Sequence, residues 1–343
     1  MKSLYHPPYS VTPAILRLVG ELSEWIGRYS VAADATLSPR LRRGNRIRSI
    51  HASLAIENNL LTMEQVTAVI DGKRVLGLPR EIREVRNAFA AYEHIDQWAP
   101  TSQRDLLEAH GILIAGLVDR PGEFRSGGVG VFHGNRVVHM APPAERVPFL
   151  MADLLKWLEH TDEYALVSSC VFHYEFEFIH PFPDGNGRLG RLWQNLILRR
   201  WKPVLAYLPV ETVVHDRQHD YYGVLARADG RGDATPFVEF MLEALRSAIE
   251  EAVTSDQASD HVSDQVIRLL DALRSGEIGA TDLMALLNLS HRPTFRKNYL
   301  APALAAGLIE RTHPLSPRSP TQRYRLAEKG RAIIAARRRK QTG

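Results

Sequence analysis

Between an apolar run that ends at Ile179 and the run RLWQNLILRRW lies the stretch HPFPDGNGRLGR, residues 180–191. No other part of the chain restricts its fold as much. Apolar residues on either side recur at helical steps, so these residues must join two helices through a turn. Gly185 and Gly187 let the backbone turn tightly and aim successive amides at one locus, and a helix opens near Arg188. The fold must therefore present a helix N-terminus ringed by a histidine, an acid and two arginines.

Three common readings of such a stretch fail. A nucleotide P-loop needs GxxxxGK[ST], which is missing here. A calcium loop would accept Asp184 and Asn186, but Arg188 stands where a ligand is needed and Asn195 where the glutamate belongs. His173 and His180 are seven apart, without the HExxH spacing of a zinc protease. A phosphate site remains. The amides and dipole of the helix N-terminus attract an anion. Arg188 and Arg191, three apart, lie on one face of the first turn and can grip polyphosphate oxygens. Asp184 is a hard oxygen ligand for Mg²⁺ bridging phosphates. His180 is the nearby group suited to taking a proton from a hydroxyl at neutral pH. Together these imply transfer of a phosphorus group from a nucleotide.

The chain around this site has 343 residues, 45% hydrophobic and 24% charged, enough for roughly two domains. Its single cysteine, Cys170, excludes a disulfide framework and reads as a buried, inert thiol in ALVSSCVF. MKSLYHPPYSVTP has no basic segment followed by an apolar core, so no signal peptide is expected. No apolar run approaches the ~20 residues needed to span a bilayer, and a cytoplasmic protein without membrane contact is the expectation.

Residues 12–100 read as helices. NRIRSIHASLAIENN carries Ile47, Ile50 and Leu54 on one stripe, with Ile56 off-phase, and ends at an Asn pair suited to a C-cap. REIREVRNAFAAYEHIDQW steps through Ile82, Val85, Phe89, Tyr92 and Ile95, an amphipathic helix. RDLLEAHGILIAGL is helical, and GVGVF and RVVHM around HGN form a hairpin. VPFLMADLLKWLEH and EYALVSSCVFHYEFEFIH are helices, and a last helical pair ends near Glu251. EAVTSDQASDHVSDQ has no period and reads as a linker or a frayed helix end. Three further helices follow, then LIERTHP and QRYRLAEKG flanking the proline-broken PLSPRSPT. From Val262 onward, 15 Lys/Arg face 6 Asp/Glu, a surplus of +9, whereas the rest of the chain carries −5. That asymmetry suggests an acidic partner for the basic part.

HPFPDGNGRLGR resembles the signature of the Fic family, HPFx[DE]GNGRxxR, at every defined position. The resemblance implies a mainly α fold: a helical Fic core with a β-hairpin flap, here followed by a C-terminal winged helix-turn-helix domain. The expected divisions are an N-terminal helical region at 1–100, a catalytic core at 101–251, a linker at 252–261, a winged helix at 262–331 and a basic tail at 332–343. The implied activity is that of a protein adenylyltransferase, moving AMP from ATP to a Tyr, Ser or Thr hydroxyl of a target protein and of the chain itself. His180 would be the catalytic base and Phe182 the anchor of the loop. Asp184 would bind the metal, Mg²⁺. Gly185, Asn186 and Gly187 would bind the α- and β-phosphates, and Arg188, Leu189, Gly190 and Arg191 would complete the ATP site, Arg191 nearest the γ end. The Doc-type branch carries Lys where this chain has Gly187, which favours nucleotidyl transfer over phosphorylation.

The hairpin resembles the family's flap, which aligns a target segment by strand addition. The segment 130–141 would dock the target, and Val137, Val138, His139 and Met140 would also touch ATP. DYYGVLARAD resembles the adenine-side segment, with Tyr221 and Tyr222 as contacts; family members often carry Asn where Asp229 stands. SLAIEN resembles the inhibitory motif [ST]xxxE[GN], giving inhibitory roles to Ser53, Glu57 and Asn58. Glu57 would reach Arg191 and occupy the guanidinium that a γ-phosphate needs. Some members with this glutamate remove AMP instead, so a de-AMPylase is an alternative, as is a DNA-binding regulator with a nucleotide-sensing core. TDLMALLNLSHRPTFRKNYLAPALAAGLIE reads as helix, turn and second helix, with LNLS as the turn and Arg292, Arg296 and Lys297 starting the second helix. THPLSPRSPTQRYRL resembles a wing. DNA is one candidate partner of this part and protein docking the other; a second copy of the chain, as a homodimer, is the remaining one. RRRK near the end reads as a solvated tail.

Overall fold

The structure, a computed structural model, describes residues 5–36, 39–133, 136–256, 264–289, 291–313 and 322–341. The chain divides into two compact units, 1–253 and 254–343.

The first unit is built around one helix that is apolar nearly all round. In order it comprises α1 (Pro13–Thr36), α2 (Pro39–Ile56), α3 (Met63–Ile70), α4 (Pro79–His94) and α5 (Gln103–Leu113). The hairpin strands β1 (Gly130–His133) and β2 (Arg136–Met140) follow, then α6 (Val147–His160), α7 (Ala165–Ile179), α8 (Asn186–Trp201), α9 (Val210–Asp216), α10 (Gln218–Arg231) and α11 (Thr235–Asp256). A helix with no polar face belongs in the middle of a bundle. In α7, Leu166 through Phe176 are all buried, and α8 packs along it. Two of its polar members find partners inside the bundle: the Ser169 hydroxyl donates to the Leu166 carbonyl, and His173 Nδ1 lies 2.8 Å from Gln194 Oε1. Cys170 is a free, buried thiol pushed up to about 12 by desolvation, hence inert as expected.

One hydrophobic core runs from Ile15 to Val253, so the first hundred residues share it with the rest of the unit. On α2, Ile47, Ile50 and Leu54 are buried together with the off-phase Ile56. On α4 the stripe shifts: Val85 and Tyr92 are buried with Ala88 and Ala91, while Ile82 and Phe89 are half-buried. Alanines allow close approach of the neighbouring helices, and the bulkier side chains sit at the rim. The chain enters α3 through a reciprocal cap in which the Thr62 side chain accepts from Gln65 N–H and the Gln65 side chain accepts from Thr62 N–H. The α5 helix ends at Leu113, short of the expected Leu117, because the chain turns through Gly116 at φ 68°.

Residues 5–12 strap the end of this bundle. Ala234 N–H donates to the Pro8 carbonyl, Thr12 donates to Glu239, and the Tyr5 hydroxyl donates to Glu175 Oε2 at 2.6 Å. Burial pushes Glu175 up to about 7 from 4.5; the Tyr5 bond pulls it back in part and the Asp229 charge adds to the rise. The folded state therefore binds more protons than the unfolded one between those two values. Its contribution is fully present below about pH 4.5 and is lost as pH rises through about 7. Glu175→Gln should then match wild type near pH 4.5 and exceed it at pH 8 by up to about 3 kcal/mol, read from urea denaturation at both pH values.

The second unit comprises α12 (Asp264–Ala272), β3 (Ile278–Gly279), α13 (Ala280–Leu286), α14 (Arg292–Phe295), a π-turn over Arg296–Leu300, α15 (Ala301–Ala305), β4 (Ile309–Arg311), β5 (Arg323–Leu326) and α16 (Glu328–Gln341). The strands form an antiparallel sheet in the order β3-β5-β4. Val266, Leu270, Leu283, Phe295 and Leu308 lead its separate core. The turn at LNLS uses Asn288 at φ 55°, and Arg292 and Arg296 are exposed on the helix that follows; the side chain of Lys297 lies outside the described residues. LIERTHP and QRYRLAEKG supply β4 and β5, and PLSPRSPT between them lies outside the described residues. Of the expected linker, residues through Asp256 continue α11, and 257–261 lie outside the described residues. Residues 332–341 of the expected tail, RRRK among them, lie in α16. No helix among the described residues is long and apolar enough to cross a membrane.

Candidate active site

The loop between α7 and α8 is set by its own sequence. His180 ends α7 in the left-handed region, φ 48° and ψ 61°, with its N–H on the Phe176 carbonyl. Phe182 is fully buried and stacks on His110, ring centroids 3.7 Å apart. Asn186 closes the loop on itself: its side-chain oxygen accepts from Phe182 N–H and its side-chain nitrogen donates to the Phe182 carbonyl, at 2.9 and 2.8 Å. Gly185 then opens α8 at φ 86°, where a Cβ would stand 2.4 Å from Ile114 Cδ1. Only glycine meets both demands. The helix starts at Asn186, two residues before the position read from sequence.

His110 is a support that sequence reasoning missed. It is fully buried; its Nδ1 accepts from Gly122 N–H at 2.8 Å, which leaves Nε2 to donate to the Asp184 carbonyl at 3.0 Å. Burial, above all, lowers it to about 4, so the ring is neutral and its tautomer fixed. A histidine on the apolar stripe of LLEAHGILIAGL was the available signal. Arg125, equally unforeseen, donates from Nε to the His180 carbonyl at 2.8 Å.

The two motif arginines meet different acids. Arg188 is buried, with Nη2 on Asp184 Oδ1 at 2.9 Å and Nη1 3.4 Å from Glu84 Oε1. Arg191 turns to α2, where it donates to the Ser53 hydroxyl at 3.0 Å, the Ser53 carbonyl at 2.9 Å and Glu57 Oε1 at 2.8 Å. Burial would lower the Arg191 guanidinium, but Glu57 first, then Tyr221 and Glu177, hold it above its ordinary value. The Glu57 carboxylate lies over Gly187: a Cβ there would be 2.3 Å from Oε1. Glycine at 187 is thus what lets Glu57 cross the first turn of α8. Asn58 takes φ 64° at the end of α2, and the buried Asn59 donates to Glu84 Oε2 at 2.9 Å. The turn after α2 is therefore bonded to the acid that faces Arg188.

Asp184 is half-buried, with Oδ2 2.9 Å from Nη2 of the largely exposed Arg80. Arg80 and Glu84 come from α4 and were not foreseen, because nothing in the sequence ties that helix to the motif.

The remaining expected residues divide. Leu189 is fully buried in the core, and Gly190 faces Glu177 and His173, where a Cβ would be 2.9 and 3.0 Å away. Tyr221 is 1% exposed, packed in the core with its hydroxyl 3.3 Å from His173 Nε2. Tyr222 is 40% exposed and donates to the Ile56 carbonyl, beside Glu57. The hairpin pairs Gly130 with Met140 and His133 with Arg136, with a bulge between Val131 and Phe132. Its β2 strand lies against α10. Met140 is 70% exposed, and the side chains of Val137, Val138 and His139 lie outside the described residues.

The chain is similar to known proteins in sequence and in fold. The Fic/DOC family model matches residues 100–198, and the one described as "Filamentation induced by cAMP protein Fic-like, C-terminal domain" matches residues 264–327. The chain is similar to the crystal structure of a Fic family protein from Desulfovibrio desulfuricans G20, at 67% identity over 94% of this chain and 99% of that one, with a TM-score of 0.74. A Fic domain containing signaling protein from Bacteroides thetaiotaomicron shares the fold at 21% identity, covering 69% and 97% of the two chains with a TM-score of 0.60. Among curated proteins, the protein adenylyltransferase Fic of Culex quinquefasciatus is 31% identical over 228 residues, 62% of this chain and 42% of that protein. The Nematostella vectensis protein of the same name is 28% identical over 239 residues, 64% and 52% of the two. The chain spans about half the length of these relatives, 42% and 52%.

Proposed function

Because the chain belongs to the Fic family, we propose that it is a protein adenylyltransferase whose own Glu57 holds it in check. One observation carries this reading. Gly185 opens α8 between His180 in the preceding turn and Arg188 and Arg191 in the helix itself, and the Glu57 carboxylate, paired to Arg191, lies over Gly187 in its first turn. A carboxylate settled over a helix N-terminus, paired to a buried arginine, stands in for the phosphate oxygens such a site attracts.

ATP would lay its polyphosphate along the amides of residues 186–188, with Arg188 and Arg191 on its oxygens. The target hydroxyl oxygen attacks the α-phosphorus as the bond from that phosphorus to the β-bridging oxygen breaks, and pyrophosphate leaves. His180 takes the hydroxyl proton. An extended target segment seated along the hairpin by strand addition would bring its hydroxyl to His180. The Asn186 side chain, committed to closing the loop, contributes only its main-chain N–H. Tyr222, beside Ile56, is the better placed of the tyrosine pair for the adenine side, since Tyr221 is enclosed.

Mg²⁺ fits at Asp184, a half-buried carboxylate of the kind that holds this ion when phosphates and water supply the other oxygens. Among the described residues no three His, Cys, Asp or Glu side chains converge on a metal, so the phosphates would complete its shell. Bound there, it would neutralise polyphosphate charge. Asp184 would release Arg80 to bind it.

The position of the label in ATP tests the reaction class. Added to cell lysate with Mg²⁺, the Glu57→Gly protein should raise protein labelling from the α-phosphate, and not from the γ-phosphate, above the level of lysate alone. A rise from the γ-phosphate alone would mean phosphorylation and sink the proposal.

A further inference from the structure

Arg125 is 4% exposed, and it directs its guanidinium at main-chain carbonyls on three separate stretches of chain. Nε donates to His180 at 2.8 Å, Nη1 to Gly127 at 2.9 Å, and Nη2 to Ile179 at 3.3 Å and to Pro142. Its own N–H donates to the Pro181 carbonyl at 2.9 Å. Gly127 lies just before β1 and Pro142 just after β2. A single side chain therefore holds both feet of the hairpin and the turn that carries His180. That turn is one a histidine adopts rarely, at φ 48°, and such a conformation persists only where the surroundings over-determine it.

We infer that Arg125 is a positioning residue that fixes the distance and orientation between a target strand seated on the hairpin and the imidazole of His180. This rests on the adenylyl-transfer reading and names the element that makes docking and base act together. The planar fork is what the role requires, because donors on several atoms in fixed directions can reach separated carbonyls at once. Lysine keeps the charge but offers one nitrogen on a flexible stem.

Two measurements on the full chain test it. In hydrogen–deuterium exchange, Arg125→Lys should exchange about 10-fold faster than wild type in the hairpin strands and in residues 179–184 together, with α7 and α8 interiors unchanged. In the Glu57→Gly background, Arg125→Lys should lower kcat for transfer to protein by about 10–100-fold, with KM for ATP within about twofold, since misplacement of reacting groups costs rate rather than nucleotide binding. Faster exchange in one segment only, or none, overturns the coupling. An unchanged kcat, or a loss confined to KM for ATP, overturns the positioning role. A Glu57→Gly parent that transfers no AMP overturns the adenylyl-transfer reading instead, and the exchange comparison still decides whether Arg125 ties hairpin to turn.

Discussion

On incubation with ATP and Mg²⁺, the Glu57→Gly variant should gain the mass of AMP at about 10–100 times the wild-type rate. The magnitude follows from the pair it breaks. Arg191 has a 3% exposed side chain, and Glu57 Oε1 sits 2.8 Å from it with a third of the glutamate side chain in contact with solvent. A charge-assisted hydrogen bond of this kind contributes about 1.5–3 kcal/mol, and about 1.4 kcal/mol is a factor of ten in the competent population. Releasing the carboxylate leaves Arg191 its two bonds to Ser53, so the guanidinium stays oriented and becomes available to phosphate. Glu57 follows the last residue of α2, Ile56, so glycine there interrupts no helix and the gain reflects the lost pair. Glu57→Gln, which keeps the shape without the charge, should fall between the two. Intact mass spectrometry of all three after equal incubation reads the series. Equal labelling of Glu57→Gly and wild type, with both active, would remove Glu57 as a brake.

What the sequence made legible was the chemistry that is local in the chain. The motif spans twelve consecutive residues, and its histidine, glycines and arginines are placed by one turn and one helix, so spacing alone predicts a helix N-terminus with a histidine in the turn before it. The amphipathic stripe of α4 was equally local. The supports were hidden because they are remote: His110, Arg125, Arg80 and Glu84 reach the loop from other elements, and no periodicity announces a hydrogen bond to a distant carbonyl. The exchange of bulk for alanine at positions 88 and 91 has the same cause, since which face of α4 meets a neighbour closely depends on the partner helix. The i,i+3 spacing of Arg188 and Arg191 predicts a single fork. The structure directs them to Asp184 and Glu84 on one side and to Ser53 and Glu57 on the other, because each long side chain follows the acid nearest its own position on the turn. An empty helix surface predicts shared direction; a surface crossed by two acidic elements divides it.

Replacing His180 removes the proton acceptor and should lower AMP transfer by about 10²–10⁴-fold in the Glu57→Gly background, while ATP affinity stays within about twofold. Binding is spared because the groups expected to hold the phosphates are amides of α8 and the two arginines, whose positions depend on Gly185, Phe182 and their acidic neighbours rather than on the imidazole. The choice of substitute matters. At φ 48° an alanine is strained by about 1 kcal/mol, so His180→Ala could lose rate through a displaced loop. Asparagine adopts the left-handed region readily and has no basic nitrogen, so His180→Asn keeps the turn and lacks only the base. Both variants should be equally inactive, bind ATP alike and melt within a few degrees of the parent. A His180→Ala that fails alone would indicate a turn effect. Transfer by His180→Asn at the parent's rate would take His180 out of the chemistry, and with it the assignment of this loop to activating a target hydroxyl.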